Sequence, residues 1–185
     1  MEANPEYSMC FHGAQVRNTT NLGIHIHCTN IENRDYSATE VFAQWVVPTA
    51  SIVYVKSIVN SFKVKHPEWI LYGDIVLIEK CCHSGKVYGM EDVMSVYRMQ
   101  NDSIVHNPKY QQMKLLKMPN HFRFLQMNFQ LIDKKVISWC LSQAYYARFR
   151  RGKTSFAKKT IDLLQSIYYQ PSFFTNKIKK LICRK

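Results

Sequence analysis

Only two of the thirteen acidic side chains, Asp133 and Asp162, lie beyond residue 110, whereas sixteen of the twenty-five Lys and Arg do. Residues 1–60 carry three basic and five acidic groups, and residues 61–110 carry six of each. The formal charge of +12 therefore resides wholly in residues 111–185, with sixteen basic groups against two acidic ones. Such a segment cannot neutralise itself through internal ion pairs. Any fold must spread these groups over a water-facing surface, which attracts a polyanion: nucleic acid or an anionic membrane. A core is still within reach, since apolar residues make up 46% and aromatics 13%. That composition excludes wholesale disorder. A chain of 185 residues fits one domain with tails and buries roughly 70% of its unfolded surface without needing disulfide or metal.

The opening Met1-Glu2-Ala3-Asn4-Pro5-Glu6 is acidic and has no apolar segment, so no signal peptide is expected. The longest apolar candidate, residues 41–55, is interrupted by Gln44, Pro48, Thr49 and Ser51, short of the ~20 residues that span a bilayer. A cytosolic origin implies reduced thiols for Cys10, Cys28, Cys81, Cys82, Cys140 and Cys183, which show no framework spacing.

The pattern predicts an α+β fold, an antiparallel sheet packed against two or three helices with a basic helical C-terminal extension. Residues 1–8 form a short arm, 9–170 a globular domain and 171–185 a basic amphipathic tail. Residues 9–16 read as a strand. Asn18-Thr19-Thr20-Asn21 supplies a turn, and Leu22-Gly23-Ile24-His25-Ile26-His27-Cys28 returns in alternation, making a hairpin. Ser37-Ala38-Thr39-Glu40 fits a capping box before the apolar face of Val41, Phe42, Trp45 and Val46, and Pro48 stops that helix. Ile52, Val55, Val59 and Phe62 suggest a second helix.

Residues 69–72 and 75–78 read as strand around a Gly73-Asp74 turn, and Ser84-Gly85-Lys86 as a hairpin turn. Residues 100–117 read as a long loop. Residues 122–131 and 136–141 read as a strand pair closed by Asp133-Lys134. Thr154 can cap a helix lined on one side by Ala157, Ile161, Leu164, Ile167 and Tyr168, ended by Pro171. Trp45, Phe122 and Trp139 are assigned to the core.

Chemistry-bearing clusters are sparse. His25-x-His27 and Cys81-Cys82-His83 attract notice, but neither has the C-x₂₋₄-C with H-x₃₋₅-H spacing of structural zinc sites, so no metal is assigned. No Gly-rich phosphate loop, G-x-S-x-G or H-E-x-x-H occurs, and the acid-poor half offers few carboxylates for acid–base work. The expectation is a protein without catalytic residues or cofactor. The sharper signal is a polyanion-binding cluster of Arg148, Arg150, Arg151, Lys153, Lys158 and Lys159, interleaved with Phe149 and Phe156. A second cluster, Lys177, Lys179, Lys180, Arg184 and Lys185 beside Phe173 and Phe174, suits a membrane surface. The same charges would also neutralise RNA phosphates.

Three segments together resemble the matrix protein of rhabdoviruses. The first is the strand, loop and capped helix over 24–45, where Tyr36-Ser37 opens the helix. The second is the apolar segment 54–62. The third is Met118-Pro119-Asn120-His121-Phe122-Arg123, a Pro-x-His-Phe lead-in to a long strand that hairpins back. Their order agrees over residues 22–145. The resemblance implies a protein that self-associates between envelope and nucleocapsid, binds anionic membrane peripherally and ribonucleoprotein, condenses the latter and promotes budding. Its expected places are the virion beneath the envelope, the host cytoplasm and membrane surface, and the nucleus. Two departures stand out. Animal-virus members carry a lysine-rich N-terminal arm where this chain is acidic, and of a Pro-Pro-x-Tyr motif only Pro5 and Tyr7 remain in Asn4-Pro5-Glu6-Tyr7. A plant- or arthropod-infecting member fits those departures, with membrane attachment moved to the C-terminal tail. The competing reading is a basic RNA-binding accessory protein, such as a silencing suppressor.

Overall fold

A computed structural model describes residues 2–20, 23–44, 46–61, 70–99 and 107–172. The fold is α+β, and the chain divides into two compact units. One holds every strand, with the first three helices and residues 129–132. The other holds the last three helices.

In the first unit, β1 (Tyr7–Thr20) starts within the expected N-terminal arm and pairs antiparallel with β2 (Gly23–Cys28), from Thr20↔Gly23 to Gln15↔Cys28. The hairpin is therefore present, but Asn18, Thr19 and Thr20, expected to turn, extend β1 and pair with His25, Ile24 and Gly23. β3 (Arg34–Asp35), β4 (Val53–Tyr54) and β5 (Lys86–Met99) complete a sheet of order β2-β1-β5-β3, with β4 joined to β1. β1 and β5 run parallel, from Tyr7↔Lys86 to Asn18↔Met99, so the sheet is mixed rather than antiparallel. The cause lies in the connection. A parallel pair needs a crossover, and α1 (Ala38–Gln44), α2 (Lys56–Ser61) and α3 (Gly73–Ser84) lie in the chain between these two strands.

The capping box forms as read: Glu40 N–H donates to Ser37 Oγ (3.2 Å), and Ser37 N–H donates to Glu40 Oε2 (2.9 Å). Trp45 and Phe62 lie outside the described residues. The second predicted helix begins only at Lys56. β4 occupies Val53 and Tyr54, and Val59 is exposed while Ile58 is buried. The predicted strand at 75–78 is helical. α3 buries Ile75, Val76, Ile78, Glu79 and Cys81, covering several faces of the helix. A short apolar run of this kind cannot be told from a buried strand by periodicity. Gly85 caps α3, its N–H reaching Cys81 O at 3.1 Å, so the turn leads from helix to strand and not through a hairpin.

Met9, Phe11, Ile31, Tyr36, Val41, Val47, Ile58, Ile78, Cys81 and Val87 form this unit's core. At Gly89 a Cβ would run into the Tyr36 ring, so a residue without a side chain lets the ring lie against β5.

The second unit consists of α4 (Pro108–Asn128), α5 (Lys134–Arg151) and α6 (Phe156–Tyr169). It overturns the predicted strand pair and most of the predicted loop at 100–117, of which 100–106 lie outside the described residues. The alternation at Leu125, Met127, Phe129 and Leu131 misleads because Met127 and Leu131 are 77% and 55% exposed. The buried residues of this stretch of α4 are His121, Phe124 and Leu125, at the three- and four-residue spacing of a helix. Asp133 is not a hairpin turn but the N-cap of α5, accepting from Lys135 N–H at 2.6 Å. Trp139, expected in the core, is 53% exposed, and Phe122 is half-buried. Pro119 sits inside α4. It has no N–H to offer the Leu115 carbonyl one turn before it; the next carbonyl along, that of Leu116, accepts from Arg148 Nη1 at 2.9 Å.

Candidate polyanion-binding surface

The surface is built at the corner between α5 and α6, and its foundation is polar. Arg148, 5% exposed, spans the helices: Nε and Nη2 donate to the two carboxylate oxygens of Asp162 at 2.9 and 2.6 Å. Further along the two helices, Ser142 Oγ donates to Ser166 O at 2.9 Å and Ser166 Oγ donates to Ser142 O at 2.8 Å. Tyr145 and Tyr169 stack with centroids 5.9 Å apart. Gly152 fits because a Cβ there would collide with the Arg148 carbonyl, to which its own N–H donates at 2.8 Å.

Arg148 thus belongs to the helix packing, not to the solvent-facing cluster predicted for it. Arg150, Arg151, Lys153 and Lys158 are exposed, and Lys159 is half-buried. None of these five has an ion-pair partner among the described residues, and no acidic residue occurs between 134 and 161. Arg150 lies 6.0 Å over the Tyr146 ring, which orients its charge without neutralising it. The helix itself adds to this potential. Ser155, rather than the predicted Thr154, caps α6, accepting from Lys158 N–H, and no acid occupies its first turn. The positive end of the helix dipole is therefore reinforced by Lys158 and Lys159. The second predicted cluster, Phe173, Phe174, Lys177, Lys179, Lys180, Arg184 and Lys185, lies outside the described residues.

The predicted apolar stripe of α6 exists but faces solvent: Ala157 is exposed, and Ile161, Leu164, Ile167 and Tyr168 are 50%, 60%, 37% and 77% exposed, with Phe156 beside them at 87%. The buried side is Asp162 and Ser166. α4 and α5 also line a half-open cavity of about 550 Å³, formed by Leu115, Met118, Phe122, Trp139, Lys114 and Arg151 among others. Trp139 was the available signal, a large aromatic at a position that the helix exposes.

The other clusters behave as packing residues. Cys81 and Cys82 stand on α3, and burial pushes Cys81 and Cys140 up to about 11 and Cys82 higher still. Such thiols are poor nucleophiles. His83 Nδ1 meets Glu79 O at 2.8 Å, and Nε2 accepts from Gln130 N–H at 3.1 Å. The side chains of His25 and His27 lie outside the described part. Among the described residues no three His, Cys, Asp or Glu converge as a metal site, and no helix is long and apolar enough to cross a membrane. Comparison with protein-family models, with curated proteins and with solved structures finds no match.

Proposed function

We propose that the chain is a non-enzymatic viral matrix protein, which self-associates and bridges the inner face of an anionic envelope to the nucleocapsid. One observation carries the reading: charge and structure change at the same place. Residues 1–107 hold eight basic and eleven acidic groups, and residues 108–185 hold seventeen and two. That boundary is where α4 and the main body of the second unit begin. The cationic charge is thereby concentrated in one folding unit, with Arg150, Arg151, Lys153, Lys158 and Lys159 at its α5–α6 corner. The likeness of residues 24–45 and 54–62 to matrix proteins supports the same role. The third likeness contributes less, because residues 118–123 lie within α4 instead of leading into a strand.

The test is flotation with vesicles containing phosphatidylserine or phosphatidylcholine alone, beside cosedimentation with nucleocapsids. Each basic group near an anionic leaflet contributes about 1 kcal/mol, so changing all five to Gln should weaken flotation by up to about a thousandfold at low salt. Undiminished flotation of that variant would overturn the assignment. Retention of RNA without any flotation would select the accessory RNA-binding reading.

A further inference from the structure

α6 is packed the wrong way round for a helix of a water-soluble domain. An amphipathic helix ordinarily buries its apolar stripe and shows its polar side to water. Here the deeply buried side chains are Asp162 and Ser166, both 0% exposed, while Phe156, Ile161, Leu164, Ile167 and Tyr168 point outward. At 3.6 residues per turn, with Ala157, these positions cover an arc of about 140° broken only by Thr160. The inversion is enforced from inside. The Arg148–Asp162 pair and the reciprocal Ser142–Ser166 bonds would be lost if α6 rolled to bury its apolar side. Such a roll would leave Arg148 and Ser142 buried without their partners, which opposes it. A contiguous apolar patch of a few hundred Å² rimmed by polar groups marks a contact surface.

We propose that the outward face of α6 inserts into the interface of an anionic phospholipid bilayer, lying in the plane of the headgroups. The charge beside it selects this occupant. Lys158 and Lys159 flank the stripe, Arg150, Arg151 and Lys153 precede it, and the only acid on α6 is buried and paired. A second copy would bring another unit of seventeen basic and two acidic groups against the first. A helix of fourteen residues, about 21 Å long, also offers much less than the ~800 Å² per partner of a stable protein interface. A lipid surface needs neither condition, because shallow insertion of large side chains together with adjacent cations is sufficient. The choice of membrane rests on the anionic-surface reading above, which the five-Gln variant tests separately.

The experiment uses the full chain with phosphatidylserine/phosphatidylcholine vesicles and the triple variant Ile161→Ser, Leu164→Ser, Tyr168→Ser. All three side chains are exposed, so the circular dichroism melt should stay as in the wild type. Flotation should fall by about tenfold or more for each inserted side chain removed, and the wild type should keep part of its binding at ~0.5 M salt, where exposed charges are screened. Leu164→Trp should show a blue-shifted emission and quenching by brominated lipid above the background of the three native tryptophans. If the triple variant floats like the wild type while the five-Gln variant does not, insertion by α6 is wrong and the electrostatic reading stands. An emission from the Leu164→Trp variant already shielded in lipid-free protein, or a dimer abolished by the triple variant, would show the face covered by protein and overturn the proposal.

Discussion

The two units solve opposite problems. In the strand-bearing unit an apolar cluster forms the core, with Glu79 and Lys80 as buried charged side chains beside it, and surface charges meet partners: Arg34 with Glu32 and Glu40 at 2.9 and 2.8 Å, Lys86 with Asp35 at 3.5 Å. In the helical unit an ion pair and a serine pair lie inside while aromatic and aliphatic groups face out. The first arrangement pairs these surface charges within the unit, whereas the second leaves its cations and an apolar stripe exposed. The largest break in this contrast is Asp162→Asn. Arg148 would keep its buried charge without a counter-ion, at a cost of about 3–5 kcal/mol. Chemical denaturation should show that loss, while Arg34→Ala in the first unit should cost at most about 1 kcal/mol. The double change Arg148→Met with Asp162→Leu should recover most of the stability, since an apolar pair of similar volume avoids desolvating charge. A loss below about 1 kcal/mol for Asp162→Asn, the range of an exposed pair, would remove the idea that this pair sets the orientation of α6.

The contrast sharpens at Glu79, the acid that the first unit buries without a hydrogen-bond partner among the described residues. Burial pushes its carboxyl up to about 8, from 4.5. Folding therefore takes up a proton between these values, so stability is greatest below about pH 4.5, falls as pH rises and levels off above about 8. At pH 7 the deficit relative to low pH is about 3 kcal/mol. Glu79→Gln should raise the denaturation midpoint at pH 7 and flatten the profile from pH 5 to 8. An unchanged slope in the variant would show that some other group governs it.

Local features were readable, and those that depend on distant partners were not. The β1–β2 pairing follows from the alternation of residues 22–28, although the polar run from Asn18 to Thr20 is strand rather than turn, and α1 follows from Ser37 and Glu40, a few residues apart. The parallel pairing of β1 with β5 joins Tyr7 to Lys86, and no local pattern announces it. Ile75-Val76-Leu77-Ile78 has strand-like composition but is buried from several sides as a helix, and Pro119 disguises the middle of α4 as a break. Counting charges located the basic half correctly, yet could not tell Arg148 from Arg150. The usable signal was Asp162, a single acid within the apolar and basic residues of α6, which needs a buried cation. The stripe on α6 was also readable, but its direction was not. Periodicity defines a face, and only the bonds to Ser142 and Arg148 decide which face turns inward.

The smallest effect belongs to Glu40, where the first unit holds an acid in the opposite manner. The Ser37 N–H, then the Ser37 hydroxyl, then Arg34 hold its carboxyl down at about 2, against 4.5 in the unfolded chain. Its contribution is therefore complete above about pH 4.5 and disappears as pH falls through 2, the reverse of Glu79. The side chain is one-third exposed, so solvent screens much of the charge. The capping bond itself limits the effect of Glu40→Ala to about 1 kcal/mol. Glu40→Gln keeps an oxygen for the Ser37 N–H but loses the pairing with Arg34, and should cost about half as much. Thermal melts of both variants at pH 7 and pH 2 provide the check, with the difference from wild type expected at the higher pH and nearly absent at the lower. Equal losses at both pH values would mean that α1 depends on the shape of this side chain and not on its charge.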